Sequence, residues 1–229
     1  MSASSPSVLR TALRLAAFTA GTAALLATAH WATREPIAAG ERRAQLATLA
    51  ALLPAQYDND PVGDRIEILA PDGLGGEVPR SVWRARRGGE PAGAVLSVLA
   101  PDGYGGPIEL LVGVDAEGRV IGARVIRHRE TPGLGDPIER ERSDWIEGFD
   151  GRGIGDPPAS RWAVRRDGGD FDQFAGATIT PRAVVGAVRR ALTWFSENRE
   201  TVFAGTGVSS PVAEGPGPEV HDSSQDSRE

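Results

Sequence analysis

The chain has 229 residues, 40% of them hydrophobic, and a net charge of −6, which excludes the basic footprint expected of a nucleic-acid-binding protein. Its 29 Gly and 17 Pro point away from a helical bundle and toward a turn-rich fold. There is no Cys, so disulfides, Fe–S clusters and thiolate metal sites are excluded, and His30, His128 and His221 are too scattered for a His-based metal site or a Ser–His–Asp triad.

Residues 1–14 are small and polar, with Arg10 and Arg14 as their charges. Residues 15–32 then run without a charge and, at helical rise, span about 27 Å, close to a thin bilayer core. The Arg flank predicts a cytoplasmic N-terminus, and Trp31 suits the far interface, so the rest of the chain is expected outside the cytoplasm. Ala27-Thr28-Ala29 also fits a signal-peptide cleavage site, so this segment alone leaves membrane anchor and cleaved signal open.

Residues 36–53 read as an amphipathic helix, with Ile37, Leu46, Leu49, Ala50 and Leu53 on its apolar side and Pro54 as its stop. Strand-like runs follow at 65–69 and 92–99. Each is followed by a similar turn, Ala70-Pro-Asp-Gly-Leu-Gly-Gly76 and Ala100-Pro-Asp-Gly-Tyr-Gly-Gly106; a recurring turn preference accounts for both. Residues 107–114 and 119–127 alternate apolar and polar side chains around a short Gly-containing connector, which predicts a β-hairpin with one buried face.

A tight loop, Glu130-Thr-Pro-Gly-Leu-Gly-Asp136, leads into a predicted helix over 138–149 with Trp145, Ile146 and Phe149 on its apolar side. Residues 160–166 read as a strand. Thr180 is expected to cap the strongest helix of the chain, with Pro181 at its first position and Val184, Val188, Ala191, Leu192 and Phe195 as its buried stripe. From residue 205 the chain is Gly/Ser/Pro-rich and acidic, and a disordered tail is expected over 205–229. The expected fold is α+β: a twisted, mainly antiparallel sheet flanked by helices.

The segment Asp172-Gln-Phe-Ala-Gly-Ala-Thr-Ile-Thr-Pro181 has two readings. One is a loop that ends in a capped helix. The other is a phosphate seat, because a helix N-terminus offers free N–H groups and a partial positive charge of roughly +0.5. Thr178 lies one turn or less before the helix and could carry a phosphoester. Its small neighbours Gly176 and Ala177 leave room for it. Asp172 could orient the hydroxyl or help hold a metal during attachment, and Arg182 could neutralise the phosphate.

The segment resembles the flavinylation motif Asp-x-x-(Ser/Thr)-Gly-Ala-Thr of FMN-binding domains, found in the G subunit of the Rnf electron transport complex and the C subunit of the Na⁺-translocating NADH:quinone reductase. Asp172, Gly176, Ala177 and Thr178 match; Ala175 departs from the usual Ser/Thr. Glu41-Arg-Arg43, Tyr57-Asp-Asn59, the second Pro-Asp-Gly turn and the 130–136 loop extend the likeness in the same order, and they resemble the Rnf G protein more than the reductase protein.

The resemblance implies FMN attached through a phosphoester to Thr178 by a flavin transferase. It also implies that Thr131, Gly133, Leu134 and Gly135 lie against the ring, and that 100–200 is the FMN-binding domain and 36–99 the preceding exported part. It favours the anchor over the signal. The expected protein is a single-pass inner-membrane electron carrier, its flavin domain periplasmic, working among other membrane subunits between ferredoxin and NAD pools and without a catalytic site of its own. The rivals are a non-redox exported adaptor with a degenerate flavin domain and a hydrolase; the latter lacks a plausible nucleophile–base pair near Gly-Ala-Thr.

Overall fold

The chain forms five strands: β1 (Arg65–Ile68), β2 (Arg80–Arg87), β3 (Glu90–Ala100), β4 (Ile108–Asp115) and β5 (Val120–Arg127). In the computed structural model, which describes residues 10, 14–26, 28 and 46–204, they form one antiparallel sheet in the order β1-β2-β3-β4-β5. The predicted hairpin is β4–β5, and the predicted runs at 65–69 and 92–99 are β1 and β3. The α+β expectation holds.

The chain divides into two units, residues 1–51 and 52–229. In the first, residues 14–26 and 46–50 are helical. Among the described residues no helix is long and apolar enough to cross a membrane. The far end of the predicted 15–32 span, most of the predicted 36–53 helix and the predicted tail at 205–229 lie outside the described residues.

In the second unit, one sheet face carries Ala94, Leu96, Val98, Ile108, Leu110, Val112 and Val114, all buried. Across it lies α2 (Ile179–Phe203), preceded in the chain by the single turn α1 (Pro71–Leu74). The predicted stripe of Val184, Val188, Ala191, Leu192 and Phe195 is no more than 1% exposed. At about 1.5–3 kcal/mol per buried large apolar side chain, this face is the main hydrophobic contribution to the unit.

The other face is also covered in its middle, where a single buried face was expected. Trp83, Ala85, Val95 and Leu111 are buried there, and Leu52 crosses β4 at Gly113. A Cβ at Gly113 would lie 1.9 Å from the Leu52 carbonyl oxygen, so only glycine admits the crossing.

Strand β2 carries four Arg among eight residues and was assigned no element from sequence. Two of these charges are compensated in three dimensions. Arg84, 1% exposed, pairs with Asp64 and donates through Nη1 to the Val202 carbonyl at 3.0 Å. Arg86 pairs with Asp64 at 3.0 Å and donates to the Phe203 carbonyl at 3.0 Å. The two guanidinium groups thereby satisfy carbonyls that the last turn of α2 cannot pair internally.

Two predictions fail between β5 and α2. The expected helix over 138–149 is instead two 3₁₀ turns, Asp136–Ile138 and Asp144–Phe149. Ser143 interrupts it: its hydroxyl donates to the Pro137 carbonyl at 2.7 Å and accepts the Trp145 N–H at 3.2 Å, so a new turn starts there. The expected strand over 160–166 is also a pair of turns, Ala159–Arg161 and Arg165–Asp167, with one isolated bridge between Val164 and Phe171. Trp162 and Val164 are both buried, which imitates the period-two pattern of a strand without its ladder.

Gly113→Ala forces the Leu52 crossing away from the sheet. Overpacking of this kind should cost about 1–3 kcal/mol, read as a lowered urea midpoint with little change in slope.

Candidate functional site

The segment from Asp172 to Thr178 has no regular structure and is held by side chains. The Trp145 indole N–H donates to the Asp172 carbonyl at 2.8 Å, and the Trp145 and Phe174 rings meet edge-on with centroids 5.2 Å apart. Asp172 itself pairs with Arg165 at 2.7 Å. Residues 174–177 then form a tight turn in which the Ala177 N–H donates to the Phe174 carbonyl at 3.2 Å and Gly176 takes φ +79°. That angle is open to glycine and strained for other residues.

The turn delivers Thr178 to the start of α2, two positions before the residue that sequence placed as the cap. Thr178, not Thr180, is the cap residue: its carbonyl accepts the first helical bond from the Arg182 N–H at 3.2 Å. Its hydroxyl makes no capping bond. Thr180 is 1% exposed, and its hydroxyl donates to the Glu130 carboxylate. Pro181 is accordingly the third helical residue. Lacking an N–H, it leaves the amides of Ile179 and Thr180 as the orphan donors of the first turn. Sequence missed this because either Thr is a suitable cap residue, and only the Glu130 contact withdraws Thr180.

Thr178 opens onto a cleft of about 340 Å³. Six of the residues predicted to form a site line it: Thr131, Leu134, Gly135, Gly176, Ala177 and Thr178. Tyr104, Glu130, Ile179 and Thr180 complete the lining. Two predicted residues stand apart. The Asp172 carboxylate is engaged by Arg165, and the Gly133 N–H donates to Asp136 at 2.6 Å, closing the turn that carries Leu134.

The 130–136 loop is tight because the N–H groups of Leu134 and Gly135 both bond the Thr131 carbonyl, at 3.1 and 2.9 Å. This turn projects Leu134, 47% exposed, into the cleft together with Ile179, 46% exposed. Tyr104 is 70% exposed at the same rim. Three large apolar side chains left in solvent around one cleft are suited to a flat, partly apolar ligand.

Arg182 is not among the lining residues. It grips Asp167 with two bonds, 2.6 and 2.9 Å, and that hydrogen bonding holds the Asp167 carboxyl below its ordinary value. A depressed carboxyl favours the contact above its ordinary pKa and loses it as pH falls through the lowered one, so the pair is intact at neutral pH and released in acid. Both groups are exposed, so the contribution is small.

His128, just after β5, accepts the Glu130 N–H at Nδ1 at 3.0 Å and meets Glu139 through Nε2 at 2.7 Å. It holds the loop entrance. Among the described residues no cluster of three metal-ligating side chains occurs.

The chain resembles known proteins over most of its length. Residues 103–193 match the FMN-binding domain family, and they contain every residue lining the cleft. Residues 1–52 match the RnfG N-terminal region. The chain is 48% identical over 199 residues to the G subunit of the ion-translocating oxidoreductase complex of Pseudomonas aeruginosa, covering 86% of this chain and 93% of that one. It is 52% identical over 199 residues to the protein of the same name from Cereibacter sphaeroides, covering 86% and 89%. Against the Shewanella loihica protein the identity is 43% over 198 residues, covering 86% and 93%.

Gly176→Ala tests the turn that presents Thr178. The added Cβ meets only Leu134 Cδ2, at 3.9 Å, so the cost is conformational alone. About 1–2 kcal/mol is expected, seen as a lower Tm with the fold retained.

Proposed function

The chain belongs to the G-subunit family of ion-translocating oxidoreductase complexes, and from that membership we propose that it is the FMN-carrying electron-transfer component of such a complex, with the flavin joined to Thr178. One observation carries the reading. The 130–135 loop and the 176–178 turn, distant in sequence, meet around a single cleft at the N-terminus of a 25-residue helix.

The residues present fit the group. The cleft volume lies within the usual range for ligand sites, about 300–1,000 Å³. The orphan amides of Ile179 and Thr180 suit phosphoryl oxygens, with the helix dipole behind them. Leu134, Ile179 and Tyr104 provide the apolar contacts for a flat ring. A Cβ placed on Gly176 would meet only the tip of Leu134, so little crowds the neighbouring hydroxyl.

In this reading the Thr178 hydroxyl takes the FMN phosphoryl group from FAD on a flavin transferase. A phosphoester forms, the pyrophosphate bond of FAD breaks, AMP leaves and the hydroxyl proton is lost. Thr178 is half-buried and its hydroxyl is free of any capping duty, whereas the Thr180 hydroxyl is committed to Glu130. When bound, FMN supplies one-electron chemistry, suiting a relay between other redox centres. The chain's residues hold and orient it and exclude water from the ring.

The chain is further read as a single-pass inner-membrane protein with its flavin domain on the periplasmic side, working with other membrane subunits between ferredoxin and NAD pools. In the 14–26 helix Leu15, Phe18, Leu25 and Leu26 are exposed, and the hydroxyls of Thr19 and Thr22 bond back to carbonyls of the same helix at 2.8 and 3.0 Å. Such internal satisfaction is what Thr needs in an apolar surround. The match of residues 1–52 to the RnfG N-terminal region supports the Rnf G protein over the reductase C protein.

The test is full-length protein co-produced with its flavin transferase, run on a denaturing gel and read by flavin fluorescence and intact mass. Wild type should carry one FMN phosphoryl adduct. Thr178→Ala should lose it completely, and Thr180→Val should keep it. An adduct retained in Thr178→Ala, or a wild type that is colourless and unmodified, refutes the assignment.

A further inference from the structure

Glu130 is unexplained by attachment. It is 5% exposed, yet it lines the cleft. Its Oε1 accepts the Gly105 N–H at 2.9 Å and its Oε2 accepts the Thr180 hydroxyl. Both oxygens are placed to act as acceptors, as those of a carboxylate do. Neither partner is a cation.

The position is enclosed on two sides by backbone. A Cβ at Gly103 would lie 2.8 Å from Oε1, and one at Gly135 would lie 3.0 Å from Oε2. The Glu130 backbone is tied in turn to His128. A carboxylate has therefore been set rigidly into the wall of a half-apolar cleft, with hydrogen bonds from neutral donors.

Resting on the FMN reading above, we infer that Glu130 tunes the flavin: it is a fixed negative charge in the cleft wall that lowers the reduction potential. With the ring held in this cleft, an electron added to it would bring negative charge into a cleft whose wall carries Glu130. Away from bulk water the repulsion is weakly screened, so the oxidised form is favoured. The carrier is thereby kept a low-potential donor, which suits a relay that must pass electrons onward. The Glu130–Thr180 bond serves this role as well, since it holds the charge at a residue two positions from the acceptor.

The test is a dithionite titration of the full-length, flavin-loaded protein against a reference dye, following flavin absorbance. Glu130→Gln keeps the shape: its amide oxygen can accept the Gly105 N–H, and its amide N–H can donate to Thr180. It removes only the charge. The midpoint potential should rise, by about 59 mV for each tenfold gain in the reduced-to-oxidised ratio of a one-electron step. Glu130→Asp, which keeps the charge, should restore a potential close to wild type.

An unchanged or lower potential in a loaded Glu130→Gln protein overturns the inference. So does a Glu130→Gln protein that takes no flavin while Glu130→Asp does, because Glu130 would then be part of the seat and not a tuning charge. A wild type that carries no flavin refutes the cofactor reading itself, and mass spectrometry shows this before any potential is measured.

Discussion

The hydrogen bond from Thr180 to the buried Glu130 carboxylate joins the two halves of the cleft. It ties the first turn of α2 to a loop 50 residues earlier in the chain. The other Glu130 oxygen holds the Gly105 backbone and with it the turn that carries Tyr104. The 103–106 turn, the 130–136 loop and the start of α2 thus converge on one carboxylate. Burying it is tolerable because both oxygens are bonded. The same contact removes Thr180 from capping and leaves the cap position, with a hydroxyl free of capping, to Thr178.

This arrangement requires that α2 cannot slide. Its apolar stripe is seated on the sheet, and its far end is gripped by Arg84 and Arg86, which bond the carbonyls of Val202 and Phe203 while sharing Asp64. A pair of cations at a helix C-terminus complements the dipole and satisfies orphan carbonyls together. At the other end of the same helix Thr178, Ile179 and Thr180 line the cleft, and the amides of Ile179 and Thr180 have no partner within the helix. Both ends are therefore specified: one by cations within the fold, the other left available for an anion.

Legibility from sequence followed locality. The β4–β5 hairpin and the α2 stripe were readable because alternation and helical spacing are carried by residues adjacent along the chain. Strand β2 was not, because its Arg residues look solvated until Asp64 and the end of α2 are brought to them. Residues 138–149 and 160–166 were misread for the opposite reason. Their apolar spacing imitates a helix and a strand, but a Ser143 turn and the lack of a ladder partner near Trp162 decide otherwise. The second buried face of the sheet was hidden in Gly113, whose significance appears only when Leu52 lies on it.

For the site, the Gly-containing turn before Thr178 and the loop from Glu130 to Asp136 were legible because turn-forming Gly residues are local features, whereas Thr178 as acceptor came only from the resemblance to the flavinylation motif, and the helix start was placed two residues late. Their meeting across one cleft was decided by the tertiary structure, as were the exclusion of Asp172 and Gly133 from the lining, the commitment of Arg182 to Asp167 and the place of Glu130. Those outcomes depend on which partner each polar group finds in space. A carboxylate or guanidinium has no fixed role in a sequence; it acquires one from the donor or acceptor that folding sets within bonding distance.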